Sequence, residues 1–288
     1  MMNQLTTELV ELLTLEKLEE NLFRGISRNI VGKRVFGGQV LGQALRAAAM
    51  TTDRPAHSLH AYFLHGGDIK APIIYHVEHL RDGKSFVSRQ VKALQHGKVI
   101  FTALISFAPQ EEGLNYQTSE PEYPAATTLK TEQELKESIV NFLPENVRVN
   151  FMRERHIDMR YVSVTNPFTP QPEAPSRAHW MKTWDSLPDD EGLHQAIVAF
   201  SSDFALMGTG LMPHGISFMT PNLQAASLDH TLYFHKPVRA DQWLLHDMDA
   251  TVTASARGLN FGRMWQNGEL VVSTVQEGLM RVRETEER

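Results

Sequence analysis

One pattern occurs twice along the 288 residues and limits the fold more than any other feature: an apolar helix followed by a run of strands. The first helix is expected over about 38–51. Gly37 and Gly38 open it, and Val40, Leu41, Ala44, Leu45 and Ala48 recur at helical spacing. Strand-like runs follow at 57–65, 73–81, 86–94 and 98–107. Asp82-Gly83 and His96-Gly97 punctuate them as turns, which predicts an antiparallel meander. A second block begins near Arg155, with strands at 157–164 and 178–184, a helix over about 192–205, and strands at 228–235, 243–254, 258–265 and 269–281. The halves also match in detail. Ser58-Leu-His-Ala-Tyr-Phe63 resembles Ser227-Leu-Asp-His-Thr-Leu-Tyr-Phe234, and Asp82-Gly-Lys-Ser-Phe-Val-Ser-Arg89 resembles Ala256-Arg-Gly-Leu-Asn-Phe-Gly-Arg263. The spacing between the matched pieces differs by several residues, and any two meanders share some of this pattern. A helix lying across a strongly curved antiparallel sheet would bury each apolar face. The reading is therefore α+β, not alternating βα units.

The remaining segments divide the chain. Residues 14–26 start the fold after a helical lead-in. Residues 109–126 have the Pro-, Glu- and Gly-rich composition of a linker, and 131–142 reads as a short helix capped by Thr131 with Glu134 at the third position. This gives an N-terminal unit over 1–110, a linker with a short helix over 111–154, and a C-terminal unit over 155–288.

Composition removes several chemistries. The chain has no cysteine, which excludes disulfides, thiolate metal sites and a cysteine nucleophile, and fits a reducing compartment. Its 28 Lys+Arg against 34 Asp+Glu give a net charge of −6, where a nucleic-acid binder would show a basic face. No leader-like segment precedes residue 20, apolar stretches such as 196–200 are too short for a bilayer, and the terminal Glu-Thr-Glu-Glu-Arg288 carries no peroxisomal tripeptide. The expectation is a cytoplasmic protein with no membrane insertion.

The motifs of serine hydrolases, phosphate-binding loops and zincins are missing, and 207–215 lacks the spacing of a dinucleotide fingerprint. No metal site is expected. Strand alternation sets His57 and His65 on the face opposite His60, and splits His76 from His79. The second helix is more informative. Leu193, Ala196, Ile197, Phe200, Phe204 and Met207 form an apolar stripe, with Asp203 inside it or at its edge. A carboxylate there is costly unless it is hydrogen-bonded or put to use, the ordinary alternative being a frayed helix end facing solvent. On the last strand Gln276 shares a face with Leu270, Val272 and Thr274, so its amide wants a partner unless it sits at the rim. Ser227 opens a strand, and could be a simple turn serine. An Asp, a Ser and a Gln meeting at one point can hold and polarise a water, with the Asp accepting its proton and no covalent intermediate.

Eight stretches together carry a resemblance. They are Phe36-Gly-Gly-Gln-Val-Leu-Gly-Gln43, His57-Ser-Leu-His-Ala-Tyr-Phe63, Ser202-Asp-Phe204, Pro213-His-Gly215, Leu228-Asp-His230, Phe234-His-Lys-Pro237, Ala254-Ser-Ala-Arg-Gly258 and Ser273-Thr-Val-Gln-Glu-Gly278. In this order and spacing the chain resembles the acyl-CoA thioesterase II family, which implies a double hotdog fold. Nothing in 110–155 carries the likeness. The resemblance implies hydrolysis of a fatty acyl-CoA to free acid and CoA without a cofactor, by an Asp, a Thr or Ser and a Gln that bind the attacking water. The matching residues are Asp203, Ser227 and Gln276, with Asp229 and His230 as a rival pair expected to support rather than act. Backbone N–H groups at the Gly37-Gly38 helix start are the expected oxyanion donors. The anionic CoA calls for a positive patch, for which Arg34 and Arg257 are the candidates alongside Lys33, Arg81 and Lys84, each of which alone would pass as a surface charge. Met, Phe and Leu residues along the two helices could line an acyl tunnel or simply be core. A homodimer or homotetramer is expected. The alternatives are a non-catalytic acyl-CoA binder and a hotdog dehydratase. The latter would need a His beside the helix carboxylate, and His194 is nine positions from Asp203.

Overall fold

The chain was analysed as a computed structural model that describes residues 2–143 and 145–283. The C-terminal tripeptide discussed above lies outside the described residues. The first half runs α1 (Gln4–Leu13), β1 (Glu16–Glu19), β2 (Leu22–Gly25), α2 (Gly37–Ala49), β3 (Ala56–Phe63), β4 (Ile73–Asp82), β5 (Val87–Gln95) and β6 (Lys98–Phe107). A connecting segment holds α3 (Glu132–Ile139) and α4 (Glu145–Phe151). The second half runs β7 (Ile157–Tyr161), β8 (Ser176–Thr183), α5 (Glu191–Ser202), a 3₁₀ helix (Met207–His214), β9 (Leu223–Ser227), β10 (Asp229–Phe234), β11 (Leu244–Ala254), β12 (Arg257–Gln266) and β13 (Glu269–Val282).

The thirteen strands among the described residues form one antiparallel sheet ordered β1-β2-β4-β5-β6-β3-β10-β13-β12-β11-β8-β7, with β9 pairing off the path to β13. Outward from the β3·β10 seam, the six strands of the first half match six of the second in the same chain order, and β9 has no counterpart. One expectation needs correction. The runs at 57–65 and 73–81 are not neighbours, because β3 pairs with β6 on one side and β10 on the other. The sheet curls around its helix, so the first strand of each run lands beside the last.

The two central helices lie against each other, antiparallel. The last residues of α2 are alanine-rich and favour helix, while Asp190 caps α5 by accepting Leu193 N–H. Leu41, Ala44 and Leu45 of α2 and Ala196, Ile197 and Phe200 of α5 are buried. Burial of each large side chain among them contributes about 1.5–3 kcal/mol. Close approach depends on two glycines one turn apart. A Cβ on Gly38 would lie 2.1 Å from the Phe200 carbonyl oxygen, and one on Gly42 2.7 Å from that of Ala196. At the far end Arg46 grips Asp190 with two bonds of 2.9 and 2.7 Å.

Two further expectations change. The helix expected over about 192–205 ends at Ser202, so Asp203 is its C-terminal cap, and Ala205 follows in a left-handed conformation (φ +66°) that breaks the helix. The helical stretch Glu191–His214 is long and apolar enough to cross a membrane, with mean hydropathy 1.3, so the expectation that every apolar stretch is too short does not hold for it. Its most apolar window is 78% buried inside the protein, as the core of the second half. The capping box expected at Thr131 and Glu134 is present on α3.

Candidate active site

Asp203 reaches inward from the end of α5 with only 6% of its side chain exposed. Its Oδ2 accepts the backbone N–H of Gly38 at 2.9 Å, and its Oδ1 lies 2.7 Å from Nε2 of Gln276. The same Nε2 lies 3.1 Å from Ser227 Oγ and 3.0 Å from His230 Nδ1. Asp203, Ser227 and Gln276, which the sequence singles out on three separate segments, therefore meet at one amide nitrogen. Gly38 joins them through its backbone, and His230 through its ring.

The convergence has a backbone cause. Ser227 and His230 are three residues apart, so in a regular strand they would face opposite ways. Ser227 pairs with Gly278 and Thr231 with Val275, a register slip of one residue at Leu228. That bulge turns both side chains toward Gln276. Asp229 accepts the Glu277 N–H at 2.6 Å and, among the described residues, is not hydrogen-bonded to the Asp203 cluster.

Burial dominates the electrostatics. It raises the Asp203 carboxyl above its usual 3.8, against the lowering effect of hydrogen bonds from Gln276, Gly38 and Ser227. It lowers His230 to about 3, so this ring is neutral and its 3.8 Å approach to Asp203 is not an ion pair. The second nitrogen of His230 meets Ser202 Oγ at 2.9 Å. A buried carboxylate with a raised pKa, held by an amide and a hydroxyl, can accept a proton from a bound water near neutral pH.

A cavity of about 840 Å³ is lined by Phe204 but not by Asp203, Ser227, Gln276 or His230 themselves. It is lined by Val31, Lys33, Arg153, Arg177, Phe204 and Met212 among others, and Phe204 is the residue next to Asp203. Phe204 stacks on Phe36 with ring centroids 4.6 Å apart and lies under the Arg155 guanidinium at 4.8 Å. Of the five basic residues singled out in the sequence, only Lys33 lines this cavity. Arg34 is exposed against the loop at Gly66, and Arg257 is exposed and paired with Glu277 at 2.8 Å. Neither shares a hydrogen bond with the Asp203 cluster. Arg177 was not legible, although it alternates with His179 on one face of β8. Burial lowers its pKa, against the raising effect of Tyr161 and Glu173. No three His, Asp or Glu side chains among the described residues come together to hold a metal ion.

Two sequence profiles match the chain: acyl-CoA thioesterase over residues 146–279 and acyl-CoA thioesterase N-terminal domain over 27–108. Acyl-CoA thioesterase 2 of Haemophilus influenzae is 37% identical over 286 residues, spanning 98% of this chain and all of the relative. An acyl-CoA thioesterase II, TesB2, from Mycobacterium marinum superposes with TM-score 0.77 at 34% identity, over 98% of this chain and 100% of that one. A protein of unknown function with a hot dog fold from Alicyclobacillus acidocaldarius superposes with TM-score 0.76 at 17% identity, over 96% and 99% of the two chains. That likeness concerns the fold alone. The architecture is an α+β hotdog fold.

Proposed function

The chain belongs to the acyl-CoA thioesterase family and hydrolyses acyl-CoA thioesters, and on that premise we propose that Asp203 is the general base, with Ser227 and Gln276 holding the attacking water. The observation that carries the proposal is the meeting of the three side chains at Gln276 Nε2, with distances of 2.7 and 3.1 Å to the carboxylate and hydroxyl. Asp203 takes one proton from the water as the oxygen adds to the thioester carbonyl carbon. The oxyanion then collapses, the C–S bond breaks, and the CoA thiolate leaves with the bonding pair. The Gly38 N–H is already given to Asp203. The oxyanion donor in this reading is therefore the neighbouring Gly37 N–H at the same helix end.

The substrate is a fatty acyl-CoA entering through the cavity beside Phe204. Its apolar wall suits the chain, and Lys33, Arg153 and Arg177 suit the phosphates. In this reading the molecule is a double hotdog, with an N-terminal unit over 1–110, a linker over 111–154 and a C-terminal unit over 155–288. The mirrored strand order supports it. A homodimer or homotetramer completes the reading, supported by Tyr62, Leu104 and Tyr233, which are exposed on the central strands. The dehydratase alternative is disfavoured. The histidine near Asp203 is His230, and both its nitrogens are engaged, by Gln276 and Ser202.

The test is Asp203→Asn, assayed by thiol release with a chromogenic disulfide reagent. The chain has no thiol of its own to add background. Hydrolysis is expected to fall by roughly 10²–10⁴-fold. A folded variant working near the unaltered rate would overturn the assignment.

A further inference from the structure

The Gln276 amide has two protons and three acceptors within reach. Its Nε2 lies 2.7 Å from Asp203 Oδ1, 3.0 Å from His230 Nδ1 and 3.1 Å from Ser227 Oγ. An ionised carboxylate only accepts, whereas a serine hydroxyl brings its own proton. The consistent assignment gives the two amide protons to Asp203 and His230, and lets Ser227 donate to Asp203. His230, accepting at Nδ1, carries its proton on Nε2. That nitrogen donates to Ser202 Oγ at 2.9 Å, and Ser202 donates onward to the Ala199 carbonyl at 2.9 Å. The direction of every bond follows from the last link. One atom is left over. Gln276 Oε1 is buried and has no partner among the described residues. A buried acceptor left unmatched is costly, and a donor brought to it by the substrate complex would match it.

We propose that the attacking water is held between two acceptors, the Asp203 carboxylate and Gln276 Oε1, and that His230, oriented by Ser202, is the positioning residue that fixes which way the Gln276 amide faces. The inference rests on Asp203 being the general base. One water proton points to Asp203 and transfers to it as the oxygen forms its bond to carbon. The other points to Oε1, stays on the oxygen and leaves with the acid. Both protons being so held, an oxygen lone pair faces the carbonyl. A reversed amide would donate to the water, spending a lone pair, and would turn Oε1 against the carboxylate. The depressed pKa of His230 agrees with a neutral ring throughout.

His230→Leu removes the acceptor that selects the amide orientation, whereas His230→Asn keeps a side-chain oxygen near the Nδ1 position. With acyl-CoA as substrate, His230→Leu should lower kcat by about 10–10²-fold with KM nearly unchanged. His230→Asn should recover most of the loss. Ser202→Ala, which frees the ring tautomer, should lower kcat in the same direction by less. Unchanged kcat in folded His230→Leu, or in folded Ser202→Ala should the first not fold, would overturn the proposal. So would a His230→Asn variant no better than His230→Leu. Asp203→Asn separates the two readings. If it is inactive while His230→Leu is fully active, only the positioning role fails; if it is fully active, the general base fails first.

Discussion

Asp203 Oδ2 accepts the backbone N–H of Gly38 across 165 residues of sequence, so the carboxylate that ends α5 also closes the start of α2. α2 has no side-chain cap of its own and no acidic residue in its first turn. Helix N-termini favour a negative charge, and here that charge comes from the other half of the chain. Holding the Asp203 carboxylate and starting the helix are one interaction.

Substitutions at the two glycines should therefore separate stability from activity. A Cβ on Gly38 would press on the Phe200 carbonyl oxygen, a backbone atom with nowhere to go. Gly38→Ala should cost at least about 1–3 kcal/mol, visible as a lower thermal midpoint. A Cβ on Gly37 would lie 2.7 Å from Asp203 Oδ2. Gly37→Ala should displace the carboxylate and lower kcat more than it lowers the midpoint. Equal effects of both variants on both readouts would contradict this division.

The pH dependence of turnover follows from the proposed assignment of buried Asp203 as the base. Only ionised Asp203 accepts a proton, and burial raises its pKa above 3.8. The rate should fall on the acid side through a single ionisation lying above the ordinary aspartate value. A profile of kcat/KM against pH that stays flat down to that value would count against Asp203.

Acid should also weaken the fold, for a separate reason. His179, His230 and His246 are buried, with His179 and His230 lowered to about 3 and His246 held well below 6.5 by burial and the neighbouring rings. Their unfolded pKa is about 6.5. Between about pH 6.5 and 3 the unfolded chain binds more protons than the native one, so stability falls as pH falls through that window. Asp203, with a raised pKa, acts in the opposite sense when it protonates. Urea midpoints measured across this window should drop. The drop should be shallower in the double variant His179→Leu/His246→Leu, whose two rings stack edge to face at 5.2 Å.

Arg177 offers a test of substrate placement. Arg177→Met should raise KM for an acyl-CoA by about tenfold, as expected for a lost charge-assisted hydrogen bond, and leave kcat close to its original value. With an acyl thioester of N-acetylcysteamine, which has no phosphates, the variant and the unaltered enzyme should have the same KM. A similar change with both substrates would point to lost packing instead.

Much of this was legible locally. The period of Val40, Leu41, Ala44 and Leu45 marks α2, the turn pairs at Asp82-Gly83 and His96-Gly97 bound β5, and Asp203 stands out as a carboxylate among Phe200, Phe204 and Met207. Each of these signals is carried by residues a few positions apart, where helix and strand periods operate. The pairing of β3 with β6 and β10 has no such signal, because it depends on how far the sheet curls around α2. Arg177 is invisible for the same reason, since the cavity it lines is built from segments as far apart as 29–33, 132–139 and 204–219.

Residue order along the chain marks the central helices and most of the long strands, though not α4 or β9, and shows which polar side chains are misfits among apolar neighbours. It does not settle their mutual aim. A one-residue slip at Leu228 turns Ser227 and His230 to the same face, and the glycine contact between α2 and α5 brings Asp203 to Gly38. Both depend on register and on close backbone approach between distant segments, which only the packed molecule decides.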